Sequence, residues 1–190
     1  MSDALPVWPK TVALAFTGVA VHHLFWNFLG PVLWGRAAPM LGSRKDFADA
    51  IQDIRHSFDP TKPAPQADRF DYRQKFEYWG MVLGGVVMIS TGFVLWFPLI
   101  LAQVVPGELI PVSKVIHSNE AMLALLVVVV WHMYSGHLEP HHFPADTSIF
   151  TGKISVDRMK KEHPLEYDRL LATGELPAEP TPVEEVEVPA

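Results

Sequence analysis

Residues 115–134 read VIHSNEAMLALLVVVVWHMY, an apolar run in which His117 and His132 lie fifteen residues apart. In an α-helix this spacing separates the two imidazoles by ~22 Å along the axis and keeps them within roughly 60° of one face. An imidazole inside a membrane-spanning helix costs free energy unless it is coordinated or paired. The run therefore predicts a membrane helix that holds haem at two depths, as in a membrane electron carrier.

The composition agrees with a small helical membrane protein. Of 190 residues, 49% are hydrophobic and 19% are charged, which is too apolar for an ordinary soluble domain. The chain has no cysteine, so disulfides, iron–sulfur clusters and covalently attached haem are excluded within it. The net charge of -6 comes mostly from the tail, and nothing supports nucleic-acid binding. Any haem must be held by histidine or methionine.

Three apolar runs predict an all-α protein with three transmembrane helices, here called spans A, B and C. Spans A, B and C are expected at 11–34, 77–102 and 113–136. In chain order, the remaining segments are expected to be an outer segment 1–10, a cytoplasmic loop 35–76, an outer turn 103–112, a cytoplasmic interfacial segment 137–173 and a disordered, acidic, proline-rich tail 174–190.

The basic residues predict the orientation. Eight Lys and Arg residues lie between spans A and B and five follow span C, whereas the opposite side has only Lys10 and Lys114. The positive-inside rule then places the loop and the C-terminus in the cytoplasm and the N-terminus outside, in a multi-pass protein of the bacterial inner membrane.

Histidines on two spans are candidate ligands of haem iron. A b-type haem needs two imidazoles from facing helices, and His23 and His132 fall at matching depth, so we expect them to share one haem. His22, ~100° around the helix, is the alternative to His23. His117 has no histidine at its depth on span A, so a second haem would need a ligand from another chain. A buried hydrogen-bonding role is the alternative for His132.

The acidic and tyrosine side chains near the spans, and the glycines of span B, have two interpretations each. Glu77, Tyr78 and Glu120 are candidates for quinone binding or proton handling, and alternatively they cap interfacial hydrogen bonds. The glycines of span B, at Gly80, Gly84, Gly85 and Gly92, favour either close helix packing or clearance for a flat porphyrin.

His137, His141 and His142 could bind a metal, contact a haem propionate or form a polar interfacial loop. The spacing His137-x3-His141-His142 also matches one histidine box of membrane di-iron oxygenases, which need several such boxes. That class is one alternative function. A cofactor-free accessory subunit that scaffolds a larger complex is another.

Two groups of motifs carry a family resemblance. The first is Arg69-Phe-Asp-Tyr-Arg-Gln-Lys-Phe-Glu-Tyr-Trp-Gly80, continued by Met88-Ile-Ser-Thr-Gly-Phe-Val-Leu-Trp-Phe-Pro98. The second comprises His117-x-x-Glu120-Ala121, Trp131-His132, Phe143-Pro144, Thr151-Gly-Lys-Ile-Ser155 and Glu162-His-Pro-Leu-Glu-Tyr167. Together they resemble the membrane cytochrome b family typified by the formate dehydrogenase gamma subunit, in particular the branch associated with multihaem cytochromes c.

The resemblance implies a four-helix bundle with two b haems that passes electrons between the quinone pool and a redox partner, in a respiratory or photosynthetic complex. It also implies that His117 and His132 are the ligands of the last helix and that His23 corresponds to the late histidine of the second family helix. The usual first helix is missing, and Trp8-Pro9-Lys10 replaces the expected His-Arg pair, so the resemblance implies a partial four-helix cytochrome b bundle. The implied partners are a multihaem cytochrome c and a chain that supplies the missing helix.

Overall fold

The structure is a computed structural model that describes residues 7–35, 38–140, 143–176 and 185–187. Three helices in it are long and apolar enough to cross a membrane: Trp8–Trp34, Tyr72–Trp96 and Leu109–Leu138. They correspond to spans A, B and C. The predicted fold class is confirmed, since the described chain is helical apart from one two-stranded sheet.

Span A is a composite helix. It consists of α1 (Val7–Leu24), a π-helix (Phe25–Leu29) and α2 (Gly30–Trp34). Gly35 ends the helix in the left-handed conformation at φ 61°, and its N–H donates to the carbonyl of Pro31. Glycine adopts this conformation without a steric penalty, so the chain can turn away directly after Trp34.

Span B begins earlier than its apolar run, because polar residues cap its first turn. After α3 (Arg44–Phe58), α4 covers Tyr72–Trp96, whereas the sequence placed the start at Glu77. The Asp71 side chain accepts from the Gln74 backbone N–H at 2.7 Å, and the Gln74 side chain accepts from the Asp71 N–H at 3.0 Å. This reciprocal capping box satisfies two of the donors that a helix start leaves open. Pro98 follows the end of α4 and opens the short α5 (Pro98–Leu101).

Span C is the longest helix and changes its winding. It consists of α6 (Leu109–Leu126), a π-helix (Val127–His132), Met133 and a second π-helix (Tyr134–Leu138). A π-helix bonds residue i to i+5, so each residue turns through a smaller angle than in an α-helix. The roughly 60° offset expected between His117 and His132 assumed a uniform α-helix, and six π-helical residues change it.

The C-terminal region contains α7 (Ser148–Thr151), β1 (Lys153–Ser155), α8 (Val156–Glu162), α9 (Pro164–Thr173) and β2 (Glu185–Glu187). A small apolar core of Ile154, Met159, Leu170 and Leu176 holds it together. Pro164 separates α8 from α9, because proline disfavours a helical conformation in the residue before it.

The tail differs from the expectation of disorder in one segment. β2 pairs antiparallel with β1, with Ile154 opposite Val186. Valine and glutamate alternate in the sequence from Glu185 to Val188, and β-branched valine favours an extended strand. The rest of the tail after Leu176 lies outside the described residues.

The chain divides into two compact units. The first comprises Met1–Ala38 and Trp79–His132, and the second comprises Pro39–Tyr78 and Met133–Ala190, each in so far as its residues are described. The first unit contains most of the three spans and the second contains α3 and the C-terminal region. Almost none of the span side chains is buried within the chain, so lipid or other molecules must cover them.

Candidate functional site

The best-defined polar contact in the membrane-spanning unit joins span C to span B. Nδ1 of His117 lies 2.8 Å from the hydroxyl oxygen of Thr91, across 26 residues of sequence. Thr91 is one of the few buried polar residues among those described, and His117 is half-buried. The two side chains therefore meet away from the exposed outer faces of the spans.

The geometry around Thr91 determines where the imidazole proton lies. The Thr91 hydroxyl is 2.7 Å from the carbonyl oxygen of Val87, and a carbonyl oxygen can only accept. The single hydroxyl proton is thus donated to Val87, and Oγ1 accepts the N–H of His117 Nδ1. Nε2 of His117 is then the nitrogen with a free lone pair, which is the arrangement that a metal-ligating histidine needs.

Side chains of the neighbouring spans lie against three glycines of span B. A Cβ atom at Gly92 would lie 3.3 Å from Cε1 of His117, and one at Gly85 would lie 3.7 Å from the Phe16 ring. A Cβ at Gly84 would overlap the Glu120 carboxylate. At these three positions a side chain of a neighbouring span packs directly against the glycine backbone, which supports the close-packing interpretation. For Gly80, no heavy atom of the described chain lies within 4 Å of such a Cβ.

The candidate acidic residues lie in different surroundings. Glu120 is half-buried and reaches toward Gly84 within the membrane-spanning unit. Glu77 and Tyr78 are half-buried and belong to the second unit, near the start of α4. Their role in quinone binding or proton handling stays a prediction.

The two histidines of span A differ in their environment. His23 is half-buried, and the side-chain nitrogen of Asn27 lies 3.2 Å from its Nδ1 and 2.9 Å from its carbonyl oxygen. His22 is exposed and makes an edge contact with the Trp26 ring. With the Asn27 amide donating to Nδ1, the His23 proton is on Nε2. Ligation through Nε2 requires the amide to turn, so that its oxygen accepts the proton from Nδ1.

His132 closes the π-helix of span C, and its ring is exposed. Short π-helical segments occur frequently at functional sites. The pairing of His23 with His132 stays a prediction. His137 is half-buried in the second π-helix, while His141 and His142 lie outside the described residues. Among the residues described, no group of three or more His, Asp and Glu side chains is arranged to hold a metal ion.

Sequence reasoning missed Thr91. It lies inside the quoted string Met88-Ile-Ser-Thr-Gly-Phe, but a lone hydroxyl in an apolar run usually bonds to its own helix. Thr91 does so through Val87 and also accepts from the next span. The available signal in the sequence was the pair Thr91-Gly92, because a hydroxyl next to a residue without a side chain can be reached by a polar side chain of a neighbouring helix.

These features define a multi-pass helical membrane protein with histidines inside its spans. The family model for prokaryotic cytochrome b561 matches residues 2–150. The chain therefore belongs to the prokaryotic cytochrome b561 family, whose members bind haem b and transfer electrons across a membrane. No curated protein matches the chain significantly.

The described residues fit the haem b that the family implies. A histidine that serves as axial ligand is a neutral imidazole with one nitrogen available to iron and the other normally donating to a protein oxygen. His117 meets both conditions through Thr91. Gly92 leaves space beside its ring, which a side chain would take.

Proposed function

We propose that this protein is a haem b subunit that carries electrons between the quinone pool and a redox partner, inside a larger respiratory or photosynthetic complex. The observation that supports this most strongly is the contact between Thr91 and His117 in a chain of the cytochrome b561 family. The contact orients an imidazole inside the membrane and frees its Nε2. The proposal is tested by the haem count described below.

In this proposal, His117 and His132 of span C each bind a haem iron. Their separation of fifteen positions corresponds to ~22 Å in a uniform α-helix, so the two irons would lie near opposite faces of a ~30 Å hydrocarbon core. His117 supplies Nε2 while Thr91 fixes the ring. His132 lies at the end of the π-helix of span C, and its ring is exposed.

Span A supplies the second ligand for the haem of His132. We favour His23 over His22, because it is half-buried and Asn27 lies beside its Nδ1, where the turned amide would accept the ring proton and leave Nε2 for iron. The haem of His117 takes its second ligand from another chain in this proposal, because span A has no histidine at the depth of His117.

When bound, haem b supplies reversible one-electron exchange at the iron, and its potential depends on the axial ligands and their surroundings. The chain positions the ligands and excludes water through its apolar spans. Glu120, one helical turn from His117, would hold a proton in this proposal. Glu77 and Tyr78 would handle quinol protons at the other end of span B.

The resemblance to the formate dehydrogenase gamma subunit supports a more specific assignment. Under it, the redox partner is a multihaem cytochrome c and the loop 35–76 and the C-terminus lie in the cytoplasm of a bacterial inner membrane. The excess of Lys and Arg in these segments agrees with the positive-inside rule.

The experiment is a pyridine haemochrome count on the intact complex, expressed per copy of this chain. We expect haem b in the wild type and a loss of about one haem in each of His117→Ala and His132→Ala, because a b-type haem needs two axial ligands. His56→Ala is the matched control, since His56 lies on α3 and bonds to the Lys62 carbonyl. Full haem content in both span C variants would overturn the assignment. A wild-type complex in which this chain binds no haem would favour the scaffold function.

A further inference from the structure

The helix α3 exposes its apolar side. Phe47, Ile51, Ile54 and Phe58 recur at intervals of four, three and four residues, so they form one stripe along the helix. We call these four residues the α3 stripe. Phe47 and Phe58 are 80% and 88% exposed, and the two isoleucines are exposed as well. In a soluble protein such a stripe normally faces the core.

The polar side of α3 faces the chain instead. Lys75 Nζ lies 2.8 Å from Oδ1 of Asp46, and the Tyr72 hydroxyl donates to Asp53 at 2.6 Å. Gln52 donates to the carbonyl of Pro63 at 3.1 Å. These bonds use the face opposite the stripe, so the helix cannot roll its apolar side inward without breaking them.

The same bonds hold α3 beside the start of a membrane helix. Tyr72 and Lys75 belong to the first turn of α4, which continues without a break as span B. In the sequence, α3 is separated from the end of span A at Trp34 by only nine residues. A helix joined this closely in sequence to two membrane helices is within reach of the bilayer surface.

The charges around the α3 stripe suit anionic lipid. The acidic residues of α3 are paired within the chain: Asp46 with Lys75, Asp49 with Lys45, and Asp53 with Tyr72. Two exposed arginines, Arg44 and Arg55, lie beside the stripe, ~60° and ~80° around the helix from Phe47. Arg55 and Lys62 line a groove of about 490 Å³ that also borders Ile51. Basic side chains that flank an apolar face are typical of interfacial helices.

We propose that α3 is an interfacial helix whose stripe inserts among lipid acyl chains while Arg44, Arg55 and Lys62 contact lipid phosphates. This inference does not depend on haem binding. A protein partner covering the same stripe is the competing outcome.

The test uses the full chain, whose lack of cysteine allows single labelling sites. Phe47→Cys and Ile54→Cys carry an environment-sensitive fluorophore on the α3 stripe. Ser57→Cys, exposed on the same helix but off the stripe, is the matched control. Each variant is reconstituted in phosphatidylcholine vesicles with and without phosphatidylglycerol, and quenching is measured with lipids brominated on their acyl chains and with aqueous iodide.

We expect acyl-chain bromine to quench the two stripe labels about twofold more than the control label, with the reverse order for iodide, because the stripe side inserts below the headgroups. Arg44→Gln with Arg55→Gln should reduce the effect of phosphatidylglycerol on the stripe labels. Equal iodide quenching at all three sites would overturn the proposal. Stripe labels that are shielded from iodide only in the assembled complex, and never quenched by lipid bromine, would assign the stripe to a protein partner.

Discussion

The hydroxyl oxygen of Thr91 accepts the Nδ1 proton of His117 at 2.8 Å and donates its own proton to the Val87 carbonyl at 2.7 Å. Span C is thereby oriented against the backbone of span B through one side chain. The contact makes Thr91 a positioning residue for any group that binds Nε2 of His117, and the first two predictions follow from it.

Replacing Thr91 with valine keeps the shape of the side chain and removes the acceptor. We expect haem affinity at His117 to fall by about tenfold to hundredfold and the midpoint potential of that haem to shift, because outer partners orient a ligating histidine and raise its basicity. Haem content and a redox titration measure the two effects. Thr91→Ser retains the hydroxyl and should stay close to the wild type. Identical potentials in wild type and Thr91→Val would contradict the positioning role.

A methyl group at Gly92 should disturb the same imidazole. It would lie 3.3 Å from Cε1 of His117, so the ring must shift by a few tenths of an ångström, and we expect Gly92→Ala to reduce the haem content. Gly80→Ala is the matched control, because its Cβ meets no heavy atom of the described chain within 4 Å. Both changes favour the helix by about 1 kcal/mol, so their difference reports the contact alone. Equal haem content in the two variants would argue against it.

The span A ligand is identified by single substitutions. We expect His23→Ala to lose about one haem b per chain, because an iron left with one axial imidazole is weakly held, and His22→Ala to keep it. Pyridine haemochrome assays on the two purified variants measure the difference. The opposite result would assign the ligand to His22. Unchanged haem in both would remove span A from the site.

The second unit should lose stability in acid. Arg158 donates to both carboxylate oxygens of Asp146, at 2.9 and 2.5 Å, and these bonds hold the pKa of Asp146 well below its usual range. In the unfolded chain that pKa returns to about 4. The pair therefore stabilises the fold above pH 4, and the contribution disappears as the pH falls toward the lowered pKa of the folded state.

Asp146→Asn should lower the free energy of unfolding at pH 7 by about 1.5–3 kcal/mol, which is typical of hydrogen bonds to charged groups. The gap between the thermal unfolding midpoints of the two proteins should stay constant from pH 7 to about pH 4 and should narrow as the pH falls further below 4. Asp157→Asn, at an exposed position on α8, is the control and should change little. A gap between wild type and Asp146→Asn that does not narrow at low pH would refute the charge interaction.

The sequence predicted the three spans because long apolar runs are unambiguous, and their ends proved less predictable. The capping box at Asp71 and Gln74 extends α4 beyond its apolar part, and polar residues in a loop gave no reason to begin a helix there. The π-helix before His132 was also not foreseen. Its residues Val127–Val130 are equally compatible with an α-helix, so the change in winding depends on contacts that apolar periodicity does not encode.

The histidines could be named from their place in apolar runs, but their partners could not. Thr91 was found only once the register between spans B and C was known. In the same way, the spacing of the α3 stripe indicates one apolar face, and the bonds from Lys75 and Tyr72 to α3 determine that this face is turned outward. The spacing of apolar residues along a helix shows which of them share one face. Tertiary contacts determine whether that face is turned toward the chain or away from it.

The scarcity of buried side chains in the spans bears on how the chain is made. A helix that buries few side chains against its neighbours can move from the translocon into the bilayer by itself. The three spans can therefore be inserted one after another, in the order of synthesis. Side-to-side association then follows as a separate event within the lipid plane. A newly synthesised subunit would then bind haem and associate with its partner subunits after insertion is complete.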